Sequence, residues 1–126
     1  MLPRTAAELD RQWRTTCTTA ALRYEHLTRV LGADRVRALV SAELSSTVLG
    51  AAFEALDAHW QTTDAAVVAA VLEAMVAARR YALTYALLSD AEVAAARHLA
   101  ARIGDDAPEL DADVRARLCA ALVPKS

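Results

Sequence analysis

Residues 45–60 read SSTVLGAAFEALDAHW, and this segment carries the clearest helical pattern in the chain. Ser45 and Ser46 are residue types that start helices, because a serine hydroxyl can accept a hydrogen bond from the first helical amides. Large apolar side chains then recur at spacings of three and four, on one face of three helical turns, at Leu49, Phe53, Leu56 and Trp60. The segment predicts a helix at the centre of the fold, with Phe53 and Trp60 buried in the core.

The N-terminal part of the chain predicts a helix over Ala6–Thr16. Thr5 and Glu8 have the spacing of a capping box, in which two side chains each satisfy a free amide at the start of a helix. Leu9 and Trp13 follow one turn apart on one face. Trp13 is therefore expected to be buried and to close this helix onto the rest of the bundle.

Two further helices are expected before residue 45. The first has an apolar stripe at helical spacing, formed by Ala21, Tyr24, Leu27 and Leu31. Gly32 is placed to end this helix in a left-handed conformation, which glycine adopts without steric cost. Asp34 is then expected to cap a short helix with an inward face formed by Val36, Leu39 and Val40.

The second half of the chain continues the helical pattern. A fifth helix is expected to begin at Thr63 and to bury the stripe Val68, Val71, Leu72 and Met75. A short sixth helix is expected over Tyr81–Leu88. A seventh follows a second capping box, formed by Ser89 and Glu92. It is expected to run as far as Gly104.

The composition shifts after residue 103, where Asp105-Asp106-Ala107-Pro108 is typical of a linker. A last amphipathic helix would carry Val114, Leu118 and Leu122 on one face. Because an exposed aliphatic stripe favours aggregation, this helix is expected either to pack back on the domain or to pair with a second copy. The chain is divided accordingly into a helical domain, residues 1–103, and a linker with a C-terminal amphipathic helix, residues 104–126.

The composition agrees with an all-α fold. The chain has 126 residues, of which 56% are hydrophobic, with only 3 Gly and 3 Pro. This length is typical of a single domain, and so few turn-forming residues argue against a β-rich protein. We therefore expect a compact bundle of about seven short helices in a solenoid-like stack, plus the extra C-terminal helix.

Charge and hydropathy exclude several classes of partner. The formal net charge is −2, which argues against a protein held on nucleic acid by phosphate contacts. The longest apolar stretch, residues 65–72, is too short to span a bilayer, so no membrane association is expected. The N-terminus lacks the apolar region of a secretory signal. We expect a cytoplasmic protein.

No pattern in the sequence points to catalysis or to a bound cofactor. The three histidines, at positions 26, 59 and 98, lack a second ligand three or four residues away, so no metal site is expected. There is no nucleophile elbow and no glycine-rich phosphate loop. Cys17 and Cys119 are far apart and are expected to be free thiols. The sequence predicts a protein that is not an enzyme and has no cofactor.

The segment from Arg79 to Leu88, RRYALTYALL, is apolar on two sides of one short helix. Tyr81, Tyr85 and Leu88 form one stripe, and Arg80, Leu83 and Leu87 form another. Such a helix is either fully buried or partly covered by a partner. Because arginine beside apolar anchors is a common composition of binding hot spots, we predict that a partner binds at Arg79, Arg80, Leu83 and Leu87.

At these residues the chain resembles the C-terminal domain family of RNA polymerase II-associated protein three, shared with sperm-associated antigen one and a coiled-coil-domain dynein-arm assembly factor. The resemblance spans residues 2–103 and rests on the order and spacing of Pro3, Thr5, Leu9, Trp13-Arg14, Arg23-Tyr24, Leu27, Arg79-Arg80-Tyr81 and Leu87-Leu88-Ser89. In two places the chain departs from the pattern: Leu9 replaces an aromatic residue and Tyr81 replaces Phe. The residues after 103 lie outside it.

The resemblance implies a small helical adaptor within a co-chaperone scaffold. Members of the family dock on hexameric RuvB-like AAA+ ATPases, and other parts of the scaffold connect these to the ninety-kilodalton heat-shock chaperone. Assembled complexes include RNA polymerases, small nucleolar ribonucleoproteins and axonemal dynein arms. The family's Lys-Arg-Phe segment corresponds to Arg79, Arg80 and Tyr81, followed by Leu83 and Leu87.

One alternative function stays open from the sequence. The chain would then be a self-associating structural factor that attaches dynein arms to ciliary microtubules, which would place it in the cilium as well as in the cytoplasm. Its partner would be a second copy of itself. The oligomeric state in solution distinguishes this alternative from the adaptor.

Overall fold

The computed structural model describes residues 2–124, which contain only helices, turns and loops and no strand. Met1, at the start of the predicted domain, and residues 125–126, at the end of the predicted tail, lie outside the described residues. The predicted all-α bundle is confirmed. Within the described range the α-helices are α1 (Ala6–Thr15), α2 (Ala20–Glu25), α3 (Gly32–Val40), α4 (Ser46–Ala58), α5 (Ala65–Val76), α6 (Tyr81–Tyr85), α7 (Asp90–Asp105) and α8 (Ala112–Leu122).

Helix α4 lies in the centre of the core, as its sequence pattern predicts. Its Phe53 side chain is fully buried, and α2 and α7 pack against the helix. The Ser45 hydroxyl accepts a hydrogen bond from the Val48 amide and so caps its first turn. The prediction for Trp60 is wrong in degree, because this ring is only partly buried. Trp60 lies beyond the end of α4, so its side chain does not continue the buried face of that helix.

Trp13 closes α1 onto the bundle, and its predicted burial is confirmed. Its indole N–H donates a hydrogen bond of 2.9 Å to Nδ1 of His26. The Arg23 guanidinium lies over the Trp13 ring, 5.6 Å from its centre, and donates to the carbonyl oxygens of Trp13 and Cys17. Trp13 and Arg23 together therefore fix the chain between α1 and α2.

The helix predicted to reach Gly32 changes its geometry halfway. After α2 the chain forms a π-helix over His26–Leu31, in which the Gly32 amide donates to the Leu27 carbonyl five residues earlier. Apolar residues four positions apart share a face in an α-helix and in a π-helix, so the sequence pattern could not distinguish the two geometries. Gly32 has a positive φ of 74°, but its ψ of 172° lies outside the left-handed helical region.

At two of the predicted helix starts, the capping in the structure differs from the prediction. The Thr5 hydroxyl accepts from the Glu8 amide, but the Glu8 carboxylate accepts from the Arg4 amide, so only half of a capping box forms. Asp34 lies in the first turn of α3 and does not cap it, since α3 begins directly after the π-helix. A short 3₁₀ turn, Thr62–Asp64, precedes α5.

The C-terminal helix α8 packs back on the bundle, one of the two arrangements expected for it. Leu118 and Leu122 are buried against the core, and α8 contacts α7 and α5. The Arg115 side chain donates to carbonyl oxygens of the preceding loop. The preceding helix α7 passes the expected Gly104 by one residue and ends at Asp105.

Candidate partner-binding surface

Helix α6 begins at a sharp bend between α5 and α7. Arg80, the residue before its first turn, has a φ of 61° and a ψ of 26°. This is the left-handed region, which a residue with a Cβ atom adopts only at an energetic cost. The bend is anchored by its neighbour Arg79, whose amide donates a 2.9 Å hydrogen bond to the Ser41 carbonyl. The loop after α3 thus fixes where α6 starts.

The inner side of α6 is joined to the core through its polar and aromatic residues. The Thr84 hydroxyl is buried and donates a 3.1 Å hydrogen bond to the Leu44 carbonyl. Tyr81 and Tyr85 pack against the core, and the Tyr85 ring lies edge-on to Phe53, with ring centres 6.3 Å apart. These contacts fix which side of the helix faces outward.

The outer side of α6 is apolar and exposed. Leu83 is 66% exposed and Leu87, just after the helix, is 74% exposed; they are the two most exposed large hydrophobic side chains in residues 2–124. Ala82 and Ala86, at neighbouring positions, are exposed as well. The turn continues past the end of α6, since the Ala86 and Leu87 amides donate to the Ala82 and Thr84 carbonyls. Because steps of three and four return to one side of a helical turn, these four residues lie on the same outer side. We call Leu83 and Leu87, with Arg79 and Arg80 beside them, the α6 surface.

Two positive charges border this apolar surface. Arg79 and Arg80 are both exposed, and neither guanidinium has an ion-pair partner in the described part of the chain. They line an open depression between the loop after α3 and α6, together with Ala42, Glu43, Leu44 and Thr84. The α6 surface therefore combines two exposed leucine side chains with two arginine side chains that form no ion pair in the described part of the chain.

The structure places the four residues predicted to bind a partner on this one surface, although their role in binding stays a prediction. Sequence reasoning missed Ala82 and Ala86, which the same helical spacing could have identified. It also missed the hydroxyl groups of Tyr81 and Tyr85, which donate to carbonyls of the distant helix α8. No local sequence pattern encodes that contact.

Other kinds of site find little support within residues 2–124. No group of three or more potential metal ligands comes together in this range. Burial raises the pKa of the Cys17 and Cys119 thiols, which disfavours the reactive thiolate, and both cysteines are free. None of the described helices has the length and the apolar character needed to cross a bilayer.

A small helical fold with an exposed apolar helix face is characteristic of domains that bind other proteins. Over residues 2–93, more than half of its length, the chain matches the family model described as the potential Monad-binding region of RPAP3, and it belongs to this family. The resemblance seen in the sequence is thereby confirmed. No curated protein and no solved structure matches the chain. The family description is that of a potential protein-binding region, and α6 lies within the matched residues.

Proposed function

We propose that this chain is an adaptor domain that docks through its α6 surface on a RuvB-like AAA+ ATPase, as part of a co-chaperone scaffold that assembles larger complexes. The observation that carries the proposal is the exposure of Leu83 and Leu87 on a helix with an inner side held by the core. Burying a leucine is worth about 1.5–3 kcal/mol, so two exposed leucines leave a substantial driving force for association.

The chemistry of the surface defines what the partner must offer. An apolar groove would cover Leu83 and Leu87, and Ala82 and Ala86 would permit a close approach of the partner backbone. Acidic side chains on the rim of the groove would pair with the Arg79 and Arg80 guanidinium groups. Arg is well suited to this position because its planar group binds carboxylates in a fixed geometry.

The proposed place of the protein in the cell follows from that partner. Other regions of the scaffold would link the ATPase to the ninety-kilodalton heat-shock chaperone in the cytoplasm. For a scaffold that serves dynein arms, the protein would also reach the cilium. The family description names Monad as a potential partner, so Monad is the second protein to be tested.

Self-association is the competing function, since an exposed apolar surface can also bind a second copy. Size-exclusion chromatography with light scattering distinguishes the two. The adaptor is expected to remain monomeric over a hundredfold range of concentration, whereas a structural factor would form dimers or larger species as the concentration rises.

The direct test is a titration of the purified chain against purified RuvB-like hexamers, and separately against Monad, by calorimetry. We expect saturable binding to the RuvB-like hexamer with a defined stoichiometry. Binding to Monad alone would keep the adaptor but replace its partner. Binding to neither, together with concentration-dependent oligomers, would favour the structural factor.

A further inference from the structure

Helix α6 is too short to be stable by itself. It has five residues, whereas isolated helices in water are marginal below roughly 12–15 residues. No side chain caps its first turn, since the preceding residue is Arg80, whose guanidinium has no acceptor for a helical amide. The order of α6, and hence of the proposed docking surface, must come from contacts with other elements.

Two of the side-chain hydrogen bonds that hold α6 come from the C-terminal helix. The Tyr81 hydroxyl donates to the Ala121 carbonyl at 2.9 Å, and the Tyr85 hydroxyl donates to the Leu122 carbonyl at 2.7 Å. Both carbonyls belong to the last turn of α8, where helix geometry leaves acceptors without an intrahelical donor. Each hydrogen bond therefore provides a donor for a free carbonyl at the end of α8, and it also fixes the position of a tyrosine ring.

Helix α8 provides a firm support for these two bonds. Its Leu118 and Leu122 side chains are buried in the core. Its Arg117 guanidinium donates a 2.8 Å hydrogen bond to the Glu73 carboxylate of α5. The Tyr81 and Tyr85 rings lie next to each other with their centres 6.0 Å apart, so both hydroxyls reach the same end of α8. This part of the support for α6 lies beyond residue 93, where the match to the family ends.

We propose that α8 is a clamp that holds α6 in the orientation needed for docking, with Tyr81 and Tyr85 as the positioning residues. The inference rests on the function proposed above. It assigns to the C-terminal segment a role in affinity without any contact to the partner. A surface that is ordered before binding does not have to be ordered during binding, and the affinity is higher for that reason.

The test removes the hydroxyl groups and keeps the rings. Tyr81→Phe, Tyr85→Phe and the double variant are compared with Tyr24→Phe, a matched control that removes a tyrosine hydroxyl bonded to Asp64, far along the chain from α6. Amide hydrogen exchange is measured by NMR at positions 84, 86, 87 and 88, where the amides donate hydrogen bonds within and just after α6. Affinity for the purified RuvB-like hexamer is measured in parallel.

We expect exchange at these amides to rise about fivefold for each hydroxyl removed, the factor that corresponds to one typical hydrogen bond. Affinity of the double variant should fall about threefold or more, because fewer molecules hold α6 in the binding-competent orientation. Tyr24→Phe should leave both quantities unchanged, even where it lowers the melting temperature as much.

Unchanged exchange in the double variant would overturn the clamp, whatever the affinity does. Faster exchange with an unchanged affinity would also overturn it, since the orientation of α6 would then be irrelevant to docking. If the wild-type chain binds no RuvB-like hexamer, the proposed function fails by that result. The exchange data then decide independently whether α8 holds α6.

Discussion

Gly50 of α4 lies directly beneath the carboxylate of Glu92 at the start of α7. A Cβ atom at position 50 would occupy the space that this carboxylate fills. The same carboxylate accepts a 2.8 Å hydrogen bond from the Ser89 amide, while the Ser89 hydroxyl accepts from the Glu92 amide at 3.2 Å. The absence of a side chain at Gly50 therefore allows the capping box of α7 to form against α4.

The first prediction is that the effect of Gly50→Ala on stability depends on the residue at position 92. In the wild-type background the new methyl group displaces the Glu92 carboxylate, and losing its hydrogen bond with the Ser89 amide costs about 0.5–1.5 kcal/mol. This loss is of the same size as the gain of about 1 kcal/mol from replacing a helical glycine by alanine, so the net effect should be small. In a Glu92→Ala background the space is free, and Gly50→Ala should stabilise the chain.

Urea denaturation of the four proteins in this double-mutant cycle measures the coupling. We expect a coupling free energy of about 1 kcal/mol or more. If the two substitutions are additive within about 0.3 kcal/mol, Gly50 and Glu92 do not constrain each other, and the capping box of α7 does not depend on the missing side chain at Gly50.

The second prediction concerns the centre of the core. Phe53→Ala should lower the free energy of unfolding by about 3–5 kcal/mol, the usual cost of removing a buried aromatic ring. The neighbouring Glu54→Ala is the control, since Glu54 is exposed and its loss should change stability by less than about 0.5 kcal/mol. Thermal melts that show equal stability for both variants would place the core elsewhere.

The third prediction is a loss of stability in weak acid that depends on His26. Burial lowers the pKa of His26 below its ordinary value of about 6.5, so the folded protein keeps the imidazole neutral. The unfolded chain takes up a proton near the ordinary pKa. As the pH falls from there toward the lowered folded-state pKa, the unfolded state is favoured and stability decreases; above the ordinary pKa His26 has no such effect.

His26→Gln keeps a hydrogen-bond acceptor for the Trp13 indole but cannot be protonated in this range. Urea denaturation of the two proteins between pH 7.5 and pH 5 isolates the contribution of His26 from that of the other titrating groups. We expect the wild type to lose more stability than the variant as the pH falls. Parallel curves would show that protonation of His26 does not differ between the folded and unfolded states.

The fourth prediction uses the strained backbone of Arg80, the one residue other than glycine with a positive φ in residues 2–124. Arg80→Gly should raise the free energy of unfolding by about 1 kcal/mol, because glycine adopts the left-handed conformation without the Cβ penalty. Arg79→Gly should bring no such gain, since its backbone lacks a positive φ. Chemical denaturation checks both, and equal effects of the two substitutions would argue against strain at Arg80.

Much of this fold follows from local sequence patterns. The spacing of Leu49 and Phe53 predicts α4 and its burial, and the capping box at Ser89 predicts the start of α7. These features are encoded within one or two helical turns, so they can be recognised without knowledge of the fold. The exposed side of α6 also follows from the spacing of Leu83 and Leu87 together with the aromatic stripe opposite to them.

Features that depend on distant residues could not be predicted in this way. Trp60 continues the apolar spacing of α4, but the helix ends before it, and its ring is only partly buried. The hydrogen bond of Tyr81 to Ala121 joins residues 40 positions apart. The Tyr81 hydroxyl is a local indication of a polar contact, but it does not indicate which acceptor the hydroxyl finds.

The most direct measurement is the affinity of Leu87→Ala for the purified RuvB-like hexamer, by calorimetry, with the melting temperature of each protein recorded alongside. Leu22→Ala is the matched control, because Leu22 is also exposed but lies on α2. Truncation of a binding hot spot costs about 2 kcal/mol or more, so we expect Leu87→Ala to bind about thirtyfold more weakly at an unchanged melting temperature.

Leu83→Ala should behave likewise, and Arg80→Glu should weaken binding with an effect that diminishes at high salt. Wild-type affinity in stable Leu83→Ala, Leu87→Ala and Arg80→Glu variants would contradict docking through the α6 surface.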